Sequence, residues 1–156
     1  MAVEEGQKAP EFALAQSDGS VVKLEDLRGQ VVVLYFYPKD DTPGCTTEAC
    51  SFRDNWTELQ QAGATVLGMS PDSVNSHKRF SDKFSLPFPL LSDIDKTTVQ
   101  EYGVWAEKSM YGKMYMGVER TTFVIDREGV IRRIFRKVKV NGHTEEVLEA
   151  VRAAAS

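Results

Sequence analysis

Residues 31–45 read VVVLYFYPKDDTPGC, and this stretch indicates the fold more clearly than any other part of the chain. Val31 to Tyr37 is an unbroken run of β-branched, aliphatic and aromatic residues, which is typical of a strand buried on both faces. In the turn that follows, Thr42 is a good N-cap and Pro43 suits the first helical position, where its missing N–H is not needed. The stretch therefore predicts a buried strand, a short turn and a helix with Cys45 in its first turn.

Alternating strands and helices extend from this stretch in both directions. The predicted strands span residues 12–15, 20–24, 31–37, 65–70, 90–91, 121–126 and 130–140. The predicted helices span residues 46–63, 73–84, 96–102 and 143–155, and residues 109–117 are predicted as a loop. This order predicts one α/β domain over residues 1–156, with a mixed central sheet, helices on both faces and an N-terminal β-hairpin. Thioredoxin-like folds have this arrangement, and other mixed-sheet folds share it.

The composition excludes several classes of protein. The 156 residues are 42% hydrophobic and 27% charged, an ordinary globular balance. The formal net charge of −4 argues against nucleic acid as a partner. The longest apolar run, Val31 to Tyr37, is far shorter than the roughly 20 residues of a membrane-spanning helix. Because residues 1–7 are polar and do not resemble a secretory leader, we expect a cytoplasmic protein without membrane association.

The inventory of reactive side chains directs attention to two cysteines, Cys45 and Cys50. In a reducing cytosol such a pair is more often catalytic or metal-binding than a structural disulfide. A structural zinc site needs about four ligands, and two cysteines with two scattered histidines are poor material for one. The chain also lacks the glycine-rich motifs of nucleotide binding and the serine motif of α/β-hydrolases. Any chemistry is therefore expected to lie with the cysteines.

The start of the predicted helix favours the thiolate form of Cys45. Unpaired backbone N–H groups and the helix macrodipole attract an anion at that position, and the thiolate is the nucleophilic form of cysteine. Asp40 and Asp41 oppose this effect, because nearby negative charge disfavours a second anion. We therefore expect a cation from elsewhere in the fold to lie beside the thiol.

Helix geometry gives the two cysteines different environments. At about 100° per residue, Cys45 falls on the apolar stripe of Phe52 and Trp56 and points inward, whereas Cys50 lies roughly 140° further round. Their Cα atoms would lie about 9 Å apart on an intact helix, beyond the ~7 Å limit for a disulfide. A bond between them would require the helix to unwind. For Cys50, a role as a small core hydrophobe stays open at this point.

The motif around Cys45 resembles a known family. Pro38, Thr42 and Cys45 match the Pro-x-x-x-Thr-x-x-Cys motif of the peroxiredoxins, and residues 43–50, PGCTTEAC, are similar to the bacterioferritin comigratory protein, or peroxiredoxin Q, subfamily. The similarity continues in order through residues 66–70, 90–93, 103–105 and 120–126. It covers almost the whole chain, and it implies a thioredoxin-like fold.

The resemblance implies a role for each of five residues. Cys45 corresponds to the peroxidatic cysteine, which attacks a peroxide oxygen and becomes a sulfenic acid. Thr42 matches the threonine whose hydroxyl bonds the peroxide, and Pro38 matches the proline that screens the thiolate from water. Arg120 matches the arginine that stabilises the thiolate and the transition state, and would supply the expected cation. Cys50 matches the resolving cysteine of members that form an intramolecular disulfide in this segment.

The resemblance also implies the partners. The substrates would be hydrogen peroxide and organic hydroperoxides, the reductant would be thioredoxin or a glutaredoxin-like protein, and the chain would act as a monomer without a metal, haem or flavin cofactor. Two other functions would also use a pair of reactive cysteines. A dithiol reductase of the thioredoxin type is disfavoured because the cysteines do not form a Cys-x-x-Cys motif. A redox sensor or oxidation-triggered chaperone would use the same disulfide.

Three lesser features carry expectations of their own. The predicted loop 109–117 gathers three methionines and two tyrosines, which would either pack over the active site or form a wall for the tail of an organic hydroperoxide. The basic residues between positions 127 and 139 are expected to form a solvated strand edge. His77 and His143 are expected at the surface.

Overall fold

The structure is a computed structural model that describes residues 3–155. The strands are β1 (Ala13–Ala15), β2 (Val21–Lys23), β3 (Val31–Phe36), β4 (Ala64–Ser70), β5 (Leu90–Ser92), β6 (Trp105–Met110), β7 (Lys113–Val118), β8 (Thr121–Ile125) and β9 (Ile131–Phe135). The helices are α1 (Pro43–Asp54), α2 (Trp56–Gln61), α3 (Val74–Phe84), α4 (Thr97–Glu101) and α5 (His143–Ala155), and a 3₁₀ turn spans Leu24–Leu27.

Five strands form the central sheet, in the order β5-β4-β3-β8-β9. Strand β3 runs parallel to β4 and antiparallel to β8, β4 runs parallel to β5, and β8 runs antiparallel to β9. Strands β1 and β2 pair as the N-terminal hairpin. The predicted mixed sheet with an N-terminal hairpin is confirmed, and the predicted strand 31–37 is its central member.

Side chains of β3 alternate between two cores, one on each face of the sheet. Val31, Val33 and Tyr35 pack with residues from α1, α2, α3 and α5. Val32 and Leu34 point to the opposite face, where residues from α4 and from the N-terminal segment cover them. Because each large buried apolar side chain contributes roughly 1.5–3 kcal/mol, this double burial explains why the segment is apolar without interruption.

The helix predicted over residues 46–63 is wrong in its extent. In the structure the helix begins at Pro43, and a break at Asn55 divides it into α1 and α2. The side-chain amide of Asn55 donates to the Ser51 carbonyl at 2.8 Å, and its backbone has φ −107° and ψ 15°. Asparagine side chains compete in this way for backbone hydrogen-bonding groups. The first helix therefore ends at Asp54, although the apolar spacing continues through Trp56 and Leu59.

The loop predicted over residues 109–117 is also wrong, because β6 and β7 form an antiparallel hairpin there. Tyr111 and Gly112, at its turn, have φ values of 54° and 76°. Positive φ at both central residues is the geometry of a tight hairpin turn, which Asn-Gly usually signals. Tyr-Gly does not give that signal, and the strands lack the Val and Ile enrichment that marks most strands.

The last sheet strand is shorter than the predicted 130–140, since β9 ends at Phe135 and Lys137 has a left-handed φ of 48°. Strand β9 is an edge of the sheet, and Arg132 and Arg133 on it are exposed, which confirms the expected solvated basic edge. The predicted helix 143–155 is confirmed as α5. No helix within residues 3–155 has the length and apolar character needed to cross a membrane.

Candidate active site

Cys45 lies at the start of α1, directly beyond the end of the buried strand β3. Pro43 occupies the first helical position as predicted, so Cys45 is in the first turn. Its side chain is 1% exposed and packs in the core with Ala49 and Phe52. The predicted inward orientation is confirmed. The thiol therefore combines burial with the electropositive end of a helix.

A guanidinium group lies beside the thiol. Arg120, in the short link between β7 and β8, donates from Nη2 to Cys45 Sγ at 3.3 Å. Its backbone carbonyl accepts from the Val138 N–H at 2.9 Å, which holds the link in place. A Cβ on Gly44 would lie 3.1 Å from Arg120 Nη2, so the missing side chain there makes room for the guanidinium. The guanidinium of Arg120 is thus the cation that was expected beside the thiol.

Glu48 is part of the site although the sequence reasoning missed it. Its Oε1 accepts from Arg120 Nη1 at 2.6 Å, and its side chain is buried. Burial raises the pKa of Glu48 to about 7, and the Arg120 charge and hydrogen bond lower it in part. The available signal was its spacing, since a residue three positions after Cys45 on a helix shares its face.

Two buried polar atoms near the thiol lack a hydrogen-bond partner, and within residues 3–155 they are the only such side-chain atoms: Glu48 Oε2 and the Tyr35 hydroxyl. Burial raises the pKa of Tyr35 well above its usual value, with smaller contributions from the charges on Glu48 and Cys45. A buried polar group without a hydrogen bond lowers the stability of the fold. Both of these atoms lie between β3 and α1, so this loss of stability falls beside the thiol.

Thr42 and Pro38 lie in the loop that joins β3 to α1. Thr42 occupies the N-cap position, but its hydroxyl does not cap the helix and instead donates to the Lys39 carbonyl at 2.8 Å. The expectation of a capping side chain is therefore wrong, because the loop turns the hydroxyl back toward its own start. Pro38 is half-buried and follows the buried Tyr37. Both residues flank the segment that leads to Cys45.

Cys50 is half-buried in α1 and is a free thiol, as is Cys45. Both cysteines lie in the continuous helix Pro43–Asp54, as the predicted geometry requires. The core-facing residues of α1 include Cys45, Ala49 and Phe52, and Cys50 is not among them. Its partial exposure disfavours the role of a core hydrophobe that the sequence left open.

The expectation that both histidines lie at the surface is wrong. His77 is fully buried on the core face of α3, one turn before Phe80. His143 begins α5 and is 1% exposed, and its Nε2 lies 2.8 Å from Thr122 Oγ1. Burial lowers the pKa of His143, although the hydrogen bond to Glu146 raises it in part. Hydrogen bonds to polar partners inside the fold offset the loss of hydration of both imidazoles. The sequence does not reveal these partners.

One face of the β6–β7 hairpin carries Lys108, Tyr115 and Met110. Lys108 donates from Nζ to the Val118 carbonyl at 2.7 Å. Burial lowers the pKa of Lys108, the Arg120 charge lowers it further, and the charge on Cys45 opposes both effects. Tyr115 pairs with Lys108 across the hairpin and shares its face, and the same side of the ribbon carries the exposed Met110 at its tip.

Comparison with known proteins finds relatives that match nearly the whole chain. The model of the AhpC/TSA family matches residues 5–134. A Coxiella burnetii protein is 57% identical over 148 residues, which cover 95% of this chain and 98% of that protein. Bacillus subtilis peroxiredoxin Bcp is 48% identical over 152 residues, 97% of each chain. The structure of Xanthomonas campestris bacterioferritin comigratory protein, studied for alkyl peroxide reduction, superposes with a TM-score of 0.88 at 46% identity and covers 93% of this chain and 92% of that one.

Proposed function

This chain belongs to the AhpC/TSA family of peroxiredoxins, and we propose that Cys45 is the nucleophile with which it reduces peroxides. Peroxiredoxins are thiol-dependent peroxidases, so the family sets the class of reaction. The observation that carries the assignment to Cys45 is its contact with Arg120, whose Nη2 lies 3.3 Å from the sulfur. A buried thiol at a helix start, with a fixed cation beside it, has the environment of a reactive thiolate.

In the first step the Cys45 thiolate attacks the terminal oxygen of a hydroperoxide. The O–O bond breaks, the sulfur is oxidised to a sulfenic acid, and the departing oxygen takes up a proton to leave as water or an alcohol. Arg120 stabilises the negative charge that moves from sulfur to oxygen, because its donors are already in place before the reaction. The Thr42 hydroxyl, which donates to its own loop, keeps its lone pairs for a hydrogen bond from the peroxide. Pro38 shields the thiolate from water.

In the second step the Cys50 thiol attacks the sulfenic sulfur, a disulfide forms and water leaves. On the intact helix α1 the two residues are too far apart for this bond, so α1 must open between them. Thioredoxin or a glutaredoxin-like dithiol then reduces the disulfide by thiol–disulfide exchange and becomes oxidised itself. Neither step needs a metal, haem or flavin, because thiols supply both electrons.

The substrates include organic hydroperoxides as well as hydrogen peroxide. The apolar tail of an organic hydroperoxide would pack against Tyr115 and Met110 on the hairpin face. The flexible side chain of methionine adapts to tails of different shapes. The related Xanthomonas campestris protein has been studied for alkyl peroxide reduction, which supports this extension. Of the two roles left open for residues 109–117, we propose the wall for an organic tail, carried on the β6–β7 hairpin.

We further propose that the chain works as a monomer in the cytoplasm, with residues 1–156 forming one domain. The residues assigned to both steps come from a single chain: Pro38, Thr42, Cys45, Cys50 and Arg120. The intramolecular disulfide needs no partner subunit, and the disulfide must be opened again by a dithiol reductant of the kind that a reducing compartment maintains.

The decisive test is peroxide-dependent oxidation of NADPH through thioredoxin and thioredoxin reductase. We expect wild type to turn over, Cys45→Ser to be inactive, and Cys50→Ser to consume about one equivalent of peroxide and then stop, since its sulfenic acid has no internal partner. Peroxide consumption by Cys45→Ser at the wild-type rate would refute the assignment of the nucleophile. Sustained turnover by Cys50→Ser would refute only the role of Cys50.

A further inference from the structure

A buried polar cluster lies behind the active-site loop and takes no part in either chemical step. At its centre is the carboxylate of Asp40, two residues before Thr42 and itself buried. The Tyr37 hydroxyl donates to its Oδ1 at 2.6 Å, and Ser76 Oγ donates to its Oδ2 at 2.8 Å. His77 Nδ1 lies 2.7 Å from the same Oδ2, with the imidazole fully buried.

His77 is bonded at both ring nitrogens. Its Nε2 lies 2.9 Å from the backbone carbonyl of Leu91, which can only accept, so Nε2 carries a proton. Its Nδ1 meets Asp40, and whichever partner holds the proton there, one strong hydrogen bond joins them. The imidazole therefore connects the loop to α3, on which it lies, and to β5 of the central sheet.

The backbone of the loop is tied to the same region. The Asp40 N–H donates to Asp72 Oδ2 at 2.8 Å, and that oxygen also accepts from Ser70 Oγ at 2.6 Å, at the end of β4. Asp40, Asp72 and His77 form a group whose ligating atoms all lie within 4.8 Å of one another, as a metal site would require. We interpret it as a structural anchor, because hydrogen bonds already engage both oxygens of Asp40, both ring nitrogens of His77 and Oδ2 of Asp72.

The next residue explains why an anchor is needed. Asp41 has φ 56°, a left-handed conformation that costs a residue with a side chain some backbone strain, although aspartate adopts it more readily than most residues. Asp41 itself makes one exposed ion pair with Lys83, at 2.9 Å, and exposed pairs contribute little. The buried contacts of Asp40 are therefore the stronger restraint on the backbone that leads directly into Thr42.

We propose that Asp40 and His77 are positioning residues for the peroxide reaction, acting through the loop that presents Thr42. This rests on the proposed function of Cys45. The pair fixes the loop so that the Thr42 hydroxyl and the start of α1 meet a peroxide in the reactive geometry, and neither side chain touches the substrate.

The test compares two reactions of the same sulfur in reduced protein. Oxidation by hydrogen peroxide needs the oriented loop, whereas alkylation of Cys45 by iodoacetamide needs a reactive thiolate but no oriented O–O bond. We expect Asp40→Asn and His77→Leu to slow peroxide oxidation by about tenfold or more, because misplaced groups lose the benefit of alignment. Alkylation should slow by less than about threefold in the same variants, since the helix start and Arg120 still act on the sulfur.

Two further variants separate positioning from stability. His77→Asn keeps an N–H donor near the place of Nδ1 and should recover most of the peroxide rate lost in His77→Leu. Lys83→Met removes the exposed ion pair on the same loop and should leave both rates unchanged. The proposal is overturned if the peroxide rate is unaffected in Asp40→Asn, or if both rates fall in proportion. A wild-type protein that fails to react with peroxide in this assay would instead refute the function itself.

Discussion

Arg120 is shared by two acidic partners, and this sharing defines the site at the scale of single residues. One nitrogen of its guanidinium donates to Cys45 Sγ and the other donates to Glu48 Oε1. The burial of Arg120 acts to lower its pKa, but Glu48 and Cys45 together raise it overall. The guanidinium therefore stays charged while largely withdrawn from water, where its interaction with developing negative charge is strongest.

Replacement of Arg120 by alanine tests this role. We expect the second-order rate constant for the reaction of reduced protein with hydrogen peroxide to fall about 10²-fold, the usual loss for one preorganised donor. Stopped-flow measurement gives the rate constant directly. Arg133→Ala, on the exposed edge strand, removes the same charge away from the site and should leave the rate unchanged. Equal effects of the two substitutions would contradict the role of Arg120.

Glu48 makes stability depend on pH in a defined direction. Its pKa is about 7 in the folded protein and 4.5 in the ordinary reference state, because burial disfavours its charge. Between these values the folded state binds a proton that the unfolded state lacks, so the free energy of unfolding falls as pH rises, by up to about 3 kcal/mol.

Replacement of Glu48 by glutamine removes this titration and keeps an oxygen acceptor for Arg120. We expect the loss of stability between pH 5 and pH 8 to be smaller in Glu48→Gln than in wild type, as measured by chemical denaturation of the reduced proteins at about these two pH values. Glu58→Gln, at an exposed position on α2, is the control. An unchanged pH dependence in Glu48→Gln would show that Glu48 is not the group responsible.

Helix α1 is the element on which the two proposed steps make opposite demands. The first would use its intact start, which holds Cys45 beside Arg120, and the second would require the turns between Cys45 and Cys50 to open. Thr47 lies between the cysteines on the exposed side, and its hydroxyl donates to the Pro43 carbonyl at 3.0 Å.

A pair of substitutions at Thr47 tests whether opening of α1 limits disulfide formation. Alanine and glycine both remove the hydroxyl, but they differ in helix propensity by about 1 kcal/mol, which corresponds to roughly fivefold in the opening equilibrium. We expect Thr47→Gly to form the disulfide about fivefold faster than Thr47→Ala after one equivalent of peroxide. The initial oxidation rates should be equal. Equal rates of disulfide formation would mean that helix opening is not limiting.

The elements that were predicted correctly are those with strong local signals. The apolar run of β3 and the Thr42-Pro43 helix start lead directly to Cys45, and the resemblance adds Arg120. Glu48 and His77 were missed because their burial depends on partners distant in sequence, Arg120 and Asp40. The β6–β7 hairpin was missed because its Tyr-Gly turn is not one of the usual hairpin signals. The break at Asn55 was missed because it depends on a single side-chain hydrogen bond, which the apolar spacing does not reveal.

For the whole molecule, the proposed cycle requires the sheet to stay folded while α1 opens. Strand β3 is buried on both faces and lies between β4 and β8, so the framework does not depend on α1 alone. Proteins open locally in cooperative segments whose free energies differ widely. We therefore expect the two cores to let the proposed redox cycle act on one helix without unfolding the sheet.

Hydrogen exchange measured by mass spectrometry tests this separation. We expect oxidation to the disulfide to increase amide exchange by about tenfold or more in peptides from residues 43–54, while peptides from β3, β4 and β8 stay protected. The Cys50→Ser variant treated in the same way is the control, because it cannot form the internal bond. Unchanged exchange in α1, or loss of protection throughout the sheet, would contradict the account.

In the proposed cycle, Cys45 receives the peroxide oxygen and Cys50 resolves the sulfenic acid within one chain. The most direct measurement is the mass, with peptide mapping, of each protein after one equivalent of hydrogen peroxide. The account predicts that wild type loses two hydrogen atoms and yields one peptide pair linked between Cys45 and Cys50. It also predicts that Cys50→Ser gains one oxygen on Cys45 and that Cys45→Ser is unmodified. An oxygen found on Cys50 in Cys45→Ser, or a disulfide that joins two chains in wild type, would contradict it.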